Sequence, residues 1–113
     1  MKKIKNILII GLGSIGSRHL KIIKQLRPEI NINLLRRKES IENNLEKLAN
    51  KIFYDKKDAL KENLDGVIIA SPSSMHINQA INFLDLNIPI FIEKPISNNL
   101  EDYLKFKKLA EIK

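Results

Sequence analysis

Cysteine is missing altogether from this chain, which excludes disulfides and thiolate metal sites. Tryptophan is missing too, and aromatic residues make up only 5% of the 113 positions. A nucleic-acid groove needs clustered cations interleaved with stacking rings, so a net charge of +7 does not point to one here. The lysines are scattered, and many stand beside acids, as in Lys56-Lys57-Asp58 and Lys61-Glu62; charges so arranged read as solvated faces. Long apolar runs are also lacking. The first, Ile7 to Ile10, is far too short for a secretory segment or a membrane span, and nothing later approaches one. These absences predict a cytoplasmic chain with neither nucleic acid nor membrane as a partner. The length suits one domain able to bury a core without staples.

Glycine is scarce, with four in the chain, yet three fall within six residues: Gly11, Gly13 and Gly16. They follow the apolar run Ile7-Leu8-Ile9-Ile10 and lead into a helical pattern, which is the context that gives G-x-G-x-x-G a meaning. Gly11 permits the tight turn out of a strand, Gly13 lets backbone approach a pyrophosphate, and Gly16 lets the helix lie close on the sheet. The helix then offers free N–H groups and the positive end of its dipole to phosphate, with Ser14 and Ile15 in its first turn. A bare structural turn is the competing reading of such glycines. The strand before and the helix after favour a dinucleotide.

Apolar strand patterns alternate with helical ones along the whole chain. Strands are predicted at 5–10, 30–35, 52–54, 67–70 and 88–92. Helices are predicted at 14–26, 41–50 (capped by Ser40), 55–63, from Ser73 or Ser74 to about 86, and from Asn99 to the end. Pro28 marks the stop of the first helix, whose apolar stripe includes Ile15, Leu20, Ile22, Ile23 and Leu26. Uniformly apolar strands separated by helices imply an α/β, doubly wound parallel sheet covered on both faces. Right-handed crossovers and a glycine turn after the first strand give the order 3-2-1-4-5. Such sheets usually carry a sixth strand, and the sequence stops inside the helix that would lead to it. The expectation is therefore one dinucleotide-binding domain over 1–113, cut short before that strand. The fifth strand would be an apolar edge guarded by little except Pro89, open to a second copy or a partner chain.

Ligands of open parallel sheets sit beyond the carboxyl ends of the strands. The second strand runs into Arg36-Arg37-Lys38, where NAD binders usually place an acid about twenty residues past the glycines to hold the ribose hydroxyls. A guanidinium there forks onto a 2′-phosphate, so NADP(H) is favoured over NAD(H); the alternative is that both arginines belong to the general surplus of positive charge. After the fourth strand come Ser71, Pro72 and Ser73, with His76 shortly beyond. After the fifth come Glu93, Lys94 and Pro95. Lys94 could donate to a substrate oxygen or, if desolvated, shuttle a proton; the alternative is a solvated lysine paired with Glu93. His76 and His19 are read with more caution, because most such histidines only pack or cap. Neither histidine stands at metal-ligand spacing, and no Ser/His/Asp nucleophile arrangement is present.

Together, Gly11-Leu12-Gly13-Ser14-Ile15-Gly16-Ser17-Arg18-His19, Ala70-Ser71-Pro72-Ser73-Ser74-Met75-His76 and Glu93-Lys94-Pro95 resemble the Gfo/Idh/MocA family, the relatives of glucose–fructose oxidoreductase and inositol dehydrogenase. The resemblance covers essentially the whole chain. It implies hydride transfer between a pyridine nucleotide and a hydroxyl or ketone of a sugar, cyclitol or nucleotide sugar. It further implies that Lys94 contacts substrate near the nicotinamide, that Ser71, Pro72 and His76 line the cofactor cleft, and that Glu93 helps to hold the nicotinamide side. The family's second α/β domain, with most substrate contacts, has no counterpart here. Three readings stay open: a dehydrogenase half that is inactive alone, a stand-alone nucleotide-binding or interaction module, and a half completed by a separate chain.

Overall fold

Side-chain alternation along the first strand, β1 (Asn6–Ile10), sets the two layers of the core. Ile7 and Ile9 point to one face of the sheet, where they pack with Leu12, Leu20, Ile30, Ile32 and Leu34. Leu8 and Ile10 point to the other, among Ala59, Leu64, Val67, Ile69, Ala80 and Phe83. A strand with two buried faces must be apolar throughout, which is why this run does not alternate with polar residues. The computed structural model describes residues 4–37, 44–72, 75–93, 104, 107 and 108.

The chain continues through α1 (Ser14–Leu26), β2 (Asn31–Leu35), a 3₁₀ segment Asn44–Leu48, β3 (Lys51–Phe53), α2 (Lys56–Leu60), β4 (Gly66–Ile69), α3 (His76–Ile81), a 3₁₀ turn Leu84–Leu86 and β5 (Ile90–Ile92). All pairings are parallel, in the predicted order β3-β2-β1-β4-β5. Ile10 stands level with both Leu35 and Ile69, Leu35 with Phe53, and Ile69 with Ile92. The five carboxyl ends therefore finish along one edge, which brings the residues after them together.

The second and fourth helical predictions differ from the structure. Of the helix predicted over 41–50, the described residues form only the short 3₁₀ segment Asn44–Leu48; Ser40 and residues 41–43 lie outside the described residues. The helix expected to run to about 86 ends at Ile81 and passes into successive i→i−3 bonds, Asn82 N to Gln79 O and Phe83 N to Ala80 O. Asn82 also donates from its side chain to the Asn78 carbonyl (3.2 Å), competing with the backbone pattern as asparagine does. Asn87 then takes φ 53, a left-handed conformation that asparagine tolerates and that ends the segment. The predicted helix from Asn99 lies outside the described residues.

Two polar residues, one in the sheet and one just before β4, have roles that the sequence reading did not anticipate. Asn33 is 2% exposed on β2 and donates to Asn6 Oδ1 (2.6 Å) and to the Ile7 carbonyl (2.9 Å), so its burial leaves the amide satisfied. Asp65 accepts from the backbone amides of Lys5 (2.9 Å) and Asn6 (3.0 Å), which locks the start of β1 beside the start of β4.

The predicted stripe of α1 is buried only in part. Leu20 is fully buried and Ile23 half-buried, whereas Ile22 and Leu26 are exposed. With Ile4, Pro89 and Phe91 they rim an apolar groove of about 310 Å³ beside β5.

Removing the Asp65 carboxylate leaves two backbone donors without their acceptor. We expect Asp65→Ala to lose about 0.5–1.5 kcal/mol of stability, since water can reach the exposed Lys5 amide, and Asp65→Asn, which keeps one acceptor, to lose less. Chemical denaturation of the three proteins measures the order.

Candidate functional site

Beyond Ile10 the chain turns at Gly11 with φ 92, a conformation that a side chain strains. A Cβ there would also stand 2.9 Å from both Cα and N of Ser71, so the turn is pressed against the exit of β4. Gly16 is required for contact rather than for conformation. Its Cβ would lie 2.1 Å from the Gly11 carbonyl oxygen, with Ala70 Cβ at 3.5 Å, so α1 sits directly on the loop and the sheet edge. Gly13 is different: its φ of −76 suits any residue, and a Cβ would meet nothing within 4 Å. The fold does not demand glycine at 13, and the space in front of it is what a ligand would fill.

Gly13 is also the N-cap of α1, and it brings no side chain to cover the first-turn amides. No acid stands in that turn. Donors and the positive dipole end are thus presented to the loop, where an anion is favoured. Ser14 opens this helix.

In front of the loop lies a cleft of about 630 Å³, within the range of small-molecule sites. The glycine loop and Ile15 form one wall. Arg36 and Arg37 enter from the end of β2, and Ser71 and Pro72 from the end of β4. Seven of the predicted site residues (Gly11, Gly13, Ile15, Arg36, Arg37, Ser71 and Pro72) therefore meet at one cavity. Gly16 supports it from beneath.

His76 and Glu93 stand elsewhere. His76 is 2% exposed and donates from Nε2 to the Ser71 carbonyl, so its ring fixes the Ser71-Pro72 bend from below and does not line the cleft. The Ser71 hydroxyl is held by Gln79 Oε1. Glu93 directly follows β5, where its amide donates to the Ile69 carbonyl (3.1 Å) and its carboxylate pairs with His19 Nε2 from α1. The His19 ring also meets Phe91 edge-on, with centroids 5.7 Å apart. His19 thereby joins the helix of the phosphate loop to the end of β5. Lys94, with Ser73, Ser74 and Pro95, lies outside the described residues.

Sequence reasoning passed over the end of β3. Tyr54 and Lys56 reach the cleft from there, and Lys56 Nζ lies 3.5 Å from Asn82 Oδ1. The same rule that drew attention to the other strand ends would have found both. It would not have found Glu46, which comes from the 3₁₀ segment to within 3.2 Å of Arg36 Nη1. The side chains of this pair are only 10% and 12% exposed, whereas Arg37 is exposed.

Among the described residues no group of three His, Cys, Asp or Glu could hold a metal ion, and no helix is long and apolar enough to cross a membrane. No curated protein sequence matches the chain. Solved structures do. A Gfo/Idh/MocA family oxidoreductase from Vibrio cholerae is 28% identical, with a TM-score of 0.80 over 96% of this chain and 35% of its own. The scyllo-inositol dehydrogenase from Lactobacillus casei, solved with NAD(H) and scyllo-inositol, is 25% identical, with a TM-score of 0.81 over 97% of this chain and 34% of its own. The WlbA dehydrogenase from Bordetella pertussis, solved with NADH and UDP-GlcNAcA, is 21% identical and shares the fold, with a TM-score of 0.79 over 98% of this chain and 34% of its own. The chain thus spans about a third of the length of these relatives. Residues 5–113 match the family described as the oxidoreductase family with an NAD-binding Rossmann fold. The glycine loop at the end of β1, the strand order and this match together establish that the chain belongs to the Gfo/Idh/MocA oxidoreductase family, as its NAD-binding Rossmann fold.

Proposed function

We propose that this chain is the nucleotide-binding part of an oxidoreductase that interconverts a hydroxyl and a ketone on a sugar, cyclitol or nucleotide sugar. The observation that carries the reading is the open space at Gly13 in front of an uncapped helix end, at the mouth of a 630 Å³ cleft. That geometry suits a diphosphate held by backbone amides. The named ligands of the Lactobacillus casei and Bordetella pertussis relatives, an inositol and a nucleotide sugar acid, support the substrate class. A bound pyridine nucleotide supplies the carbon that gives or takes hydride.

The chain's own residues would hold and orient that nucleotide. Loop amides and the first turn of α1, from Ser14 and Ile15 to Gly16, take the diphosphate. Arg37 and Arg36 take the adenosine end, and as two cations that line the cleft just beyond β2 they favour NADP(H) over NAD(H). Ser71 and Pro72, braced by His76, form the wall beside the nicotinamide half. Lys94, in the family's Glu-Lys-Pro position, would donate to the substrate oxygen, with Glu93 fixed by His19 next to it in the chain. Hydride transfer also needs the substrate carbon held in near-attack geometry, which takes a second cleft wall. In the longer relatives the remaining two thirds of the sequence are available for that wall. This chain alone would bind nucleotide and turn over little or nothing. A cytoplasmic location goes with this reading.

Replacing Gly13 with valine fills the open space without straining the backbone. We expect Gly13→Val to keep the circular dichroism of the parent and to lose no more than about 1 kcal/mol of stability, the cost of a poorer N-cap, while NADPH affinity falls by roughly 100-fold, equivalent to about 2.7 kcal/mol. Undiminished binding by the folded variant refutes the reading. In fluorescence titrations NADPH should bind more tightly than NADH, and Arg36→Ala/Arg37→Ala should remove the difference by weakening NADPH alone. Tighter NADH binding in the parent would reverse the cofactor assignment.

A second reading is favoured by the groove beside β5: association of two copies through this apolar face. Phe91 is 54% exposed on the last strand of the described sheet, next to exposed Ile4, Ile22 and Leu26. Contiguous exposed apolar patches invite association. Light scattering should then show a dimer that Phe91→Asp converts to a monomer; a parent that is monomeric at high concentration removes this reading.

A further inference from the structure

We propose that Glu46 is a specificity-determining residue, which weakens the 2′-phosphate site by partly neutralising Arg36 and so lets NAD(H) compete with NADP(H). The inference rests on the nucleotide-binding reading above and adds a residue to it.

Arg36 is placed firmly. It follows the last residue of β2, its backbone amide donates to the Phe53 carbonyl (2.9 Å), and it lines the cleft. Its guanidinium, however, does not face the cleft as a bare cation. Glu46 approaches Nη1 to 3.2 Å, and the two side chains are nearly withdrawn from solvent. In such surroundings a carboxylate is poorly screened by salt, and its field reaches beyond the guanidinium it touches. A guanidinium has five donors in a fixed fork, more than a single carboxylate takes up. A 2′-phosphate carries about two negative charges, as other phosphomonoesters do near neutral pH, and would meet the arginine and the carboxylate behind it together. A ribose hydroxyl is neutral and feels the carboxylate far less. Glu46 therefore discriminates between the two cofactors without touching either of them.

The position explains a discrepancy in the sequence. An NAD-binding family usually keeps an acid near the end of the second strand, and here that place holds Arg36. A negative charge reaches Arg36 from ten residues further on, carried by the 3₁₀ segment that packs beside α1. Arg37, exposed at the same cleft, keeps a cation for the phosphate. The combination gives a preference for NADP(H) that is real but reduced.

The test is Glu46→Gln, which keeps the size of the side chain and an acceptor for Arg36 while removing the charge. NADPH and NADH are titrated against the whole chain, following nucleotide fluorescence. We expect NADPH affinity to rise by about tenfold with NADH changed by less than about twofold, from the loss of one nearby charge in a weakly screened setting. The ratio of mutant to parent affinity should change little as salt is raised, because a nearly buried charge is weakly screened. An unchanged affinity ratio overturns the proposal. A fall in NADPH affinity overturns it too, since Glu46 would then be holding Arg36 in a phosphate-binding pose. Should Glu46→Gln not fold, the neutral pair Arg36→Gln/Glu46→Gln decides. NADPH affinity within about threefold of the parent is expected if the native pair nearly cancels electrically, whereas a loss of tenfold or more refutes the cancellation. A parent that binds neither nucleotide refutes the functional reading itself, which is a different result from a parent that binds both and ignores Glu46.

Discussion

The contact on which this molecule depends is the meeting of three backbones at the end of β1. Gly11 presses against Ser71 as the chain leaves β4, and Gly16 presses against the carbonyl of Gly11. A methyl group at either position would occupy space already taken by main chain, which cannot move aside without shifting a strand. The consequence is geometric. The first turn of α1 is held next to the carboxyl edge of the two central strands, so its amides open onto the same cleft that the other strand ends border. Gly13, one step away, meets no such constraint. Two glycines build the cradle and the third leaves it empty.

Around that cradle the charges are arranged by elements that arrive from different directions. Arg36 and Arg37 come with β2, Lys56 with the corner after β3, and Glu46 with the 3₁₀ segment between them. The cleft is cationic at one end, but the cation closest to the sheet is matched by an almost buried acid. At the other end His76 and His19 do different work from a ligand contact. One supports the Ser71 carbonyl, and the other holds the Glu93 carboxylate. Both make the position of a strand end depend on a helix, which is how a site made of short loops gains rigidity.

Much of the fold was legible in the residues. Apolar strands of the right length, the glycine turn and Pro28 placed α1 at 14–26, as observed, and each predicted strand lies within two residues of the structure at its boundaries. The order of the sheet followed from crossover handedness. The second helix was misjudged because Ile41, Leu45 and Leu48 have helical spacing, yet only a 3₁₀ turn is described there. The fourth was overextended because Asn82 and Asn87 leave the apolar period intact while their side chains and left-handed tolerance favour other backbone geometry. Periodicity reports which face is apolar, and it does not report which hydrogen bonds win.

By itself, then, the sequence determined the element order, the parallel sheet and the phosphate loop, because each is written in residues that are neighbours along the chain. Strand apolarity, glycine at a left-handed turn and a proline after a helix act over a few positions. Tertiary structure alone decided the partners of the charged groups. Glu46 meets Arg36 across ten residues, and His19 meets Glu93 across seventy-four. Such meetings depend on how helices are set down on a sheet, an angle fixed by packing of the core rather than by local pattern. The place where a nucleotide could bind was therefore readable in advance, and the electrostatics that would choose between nucleotides were not.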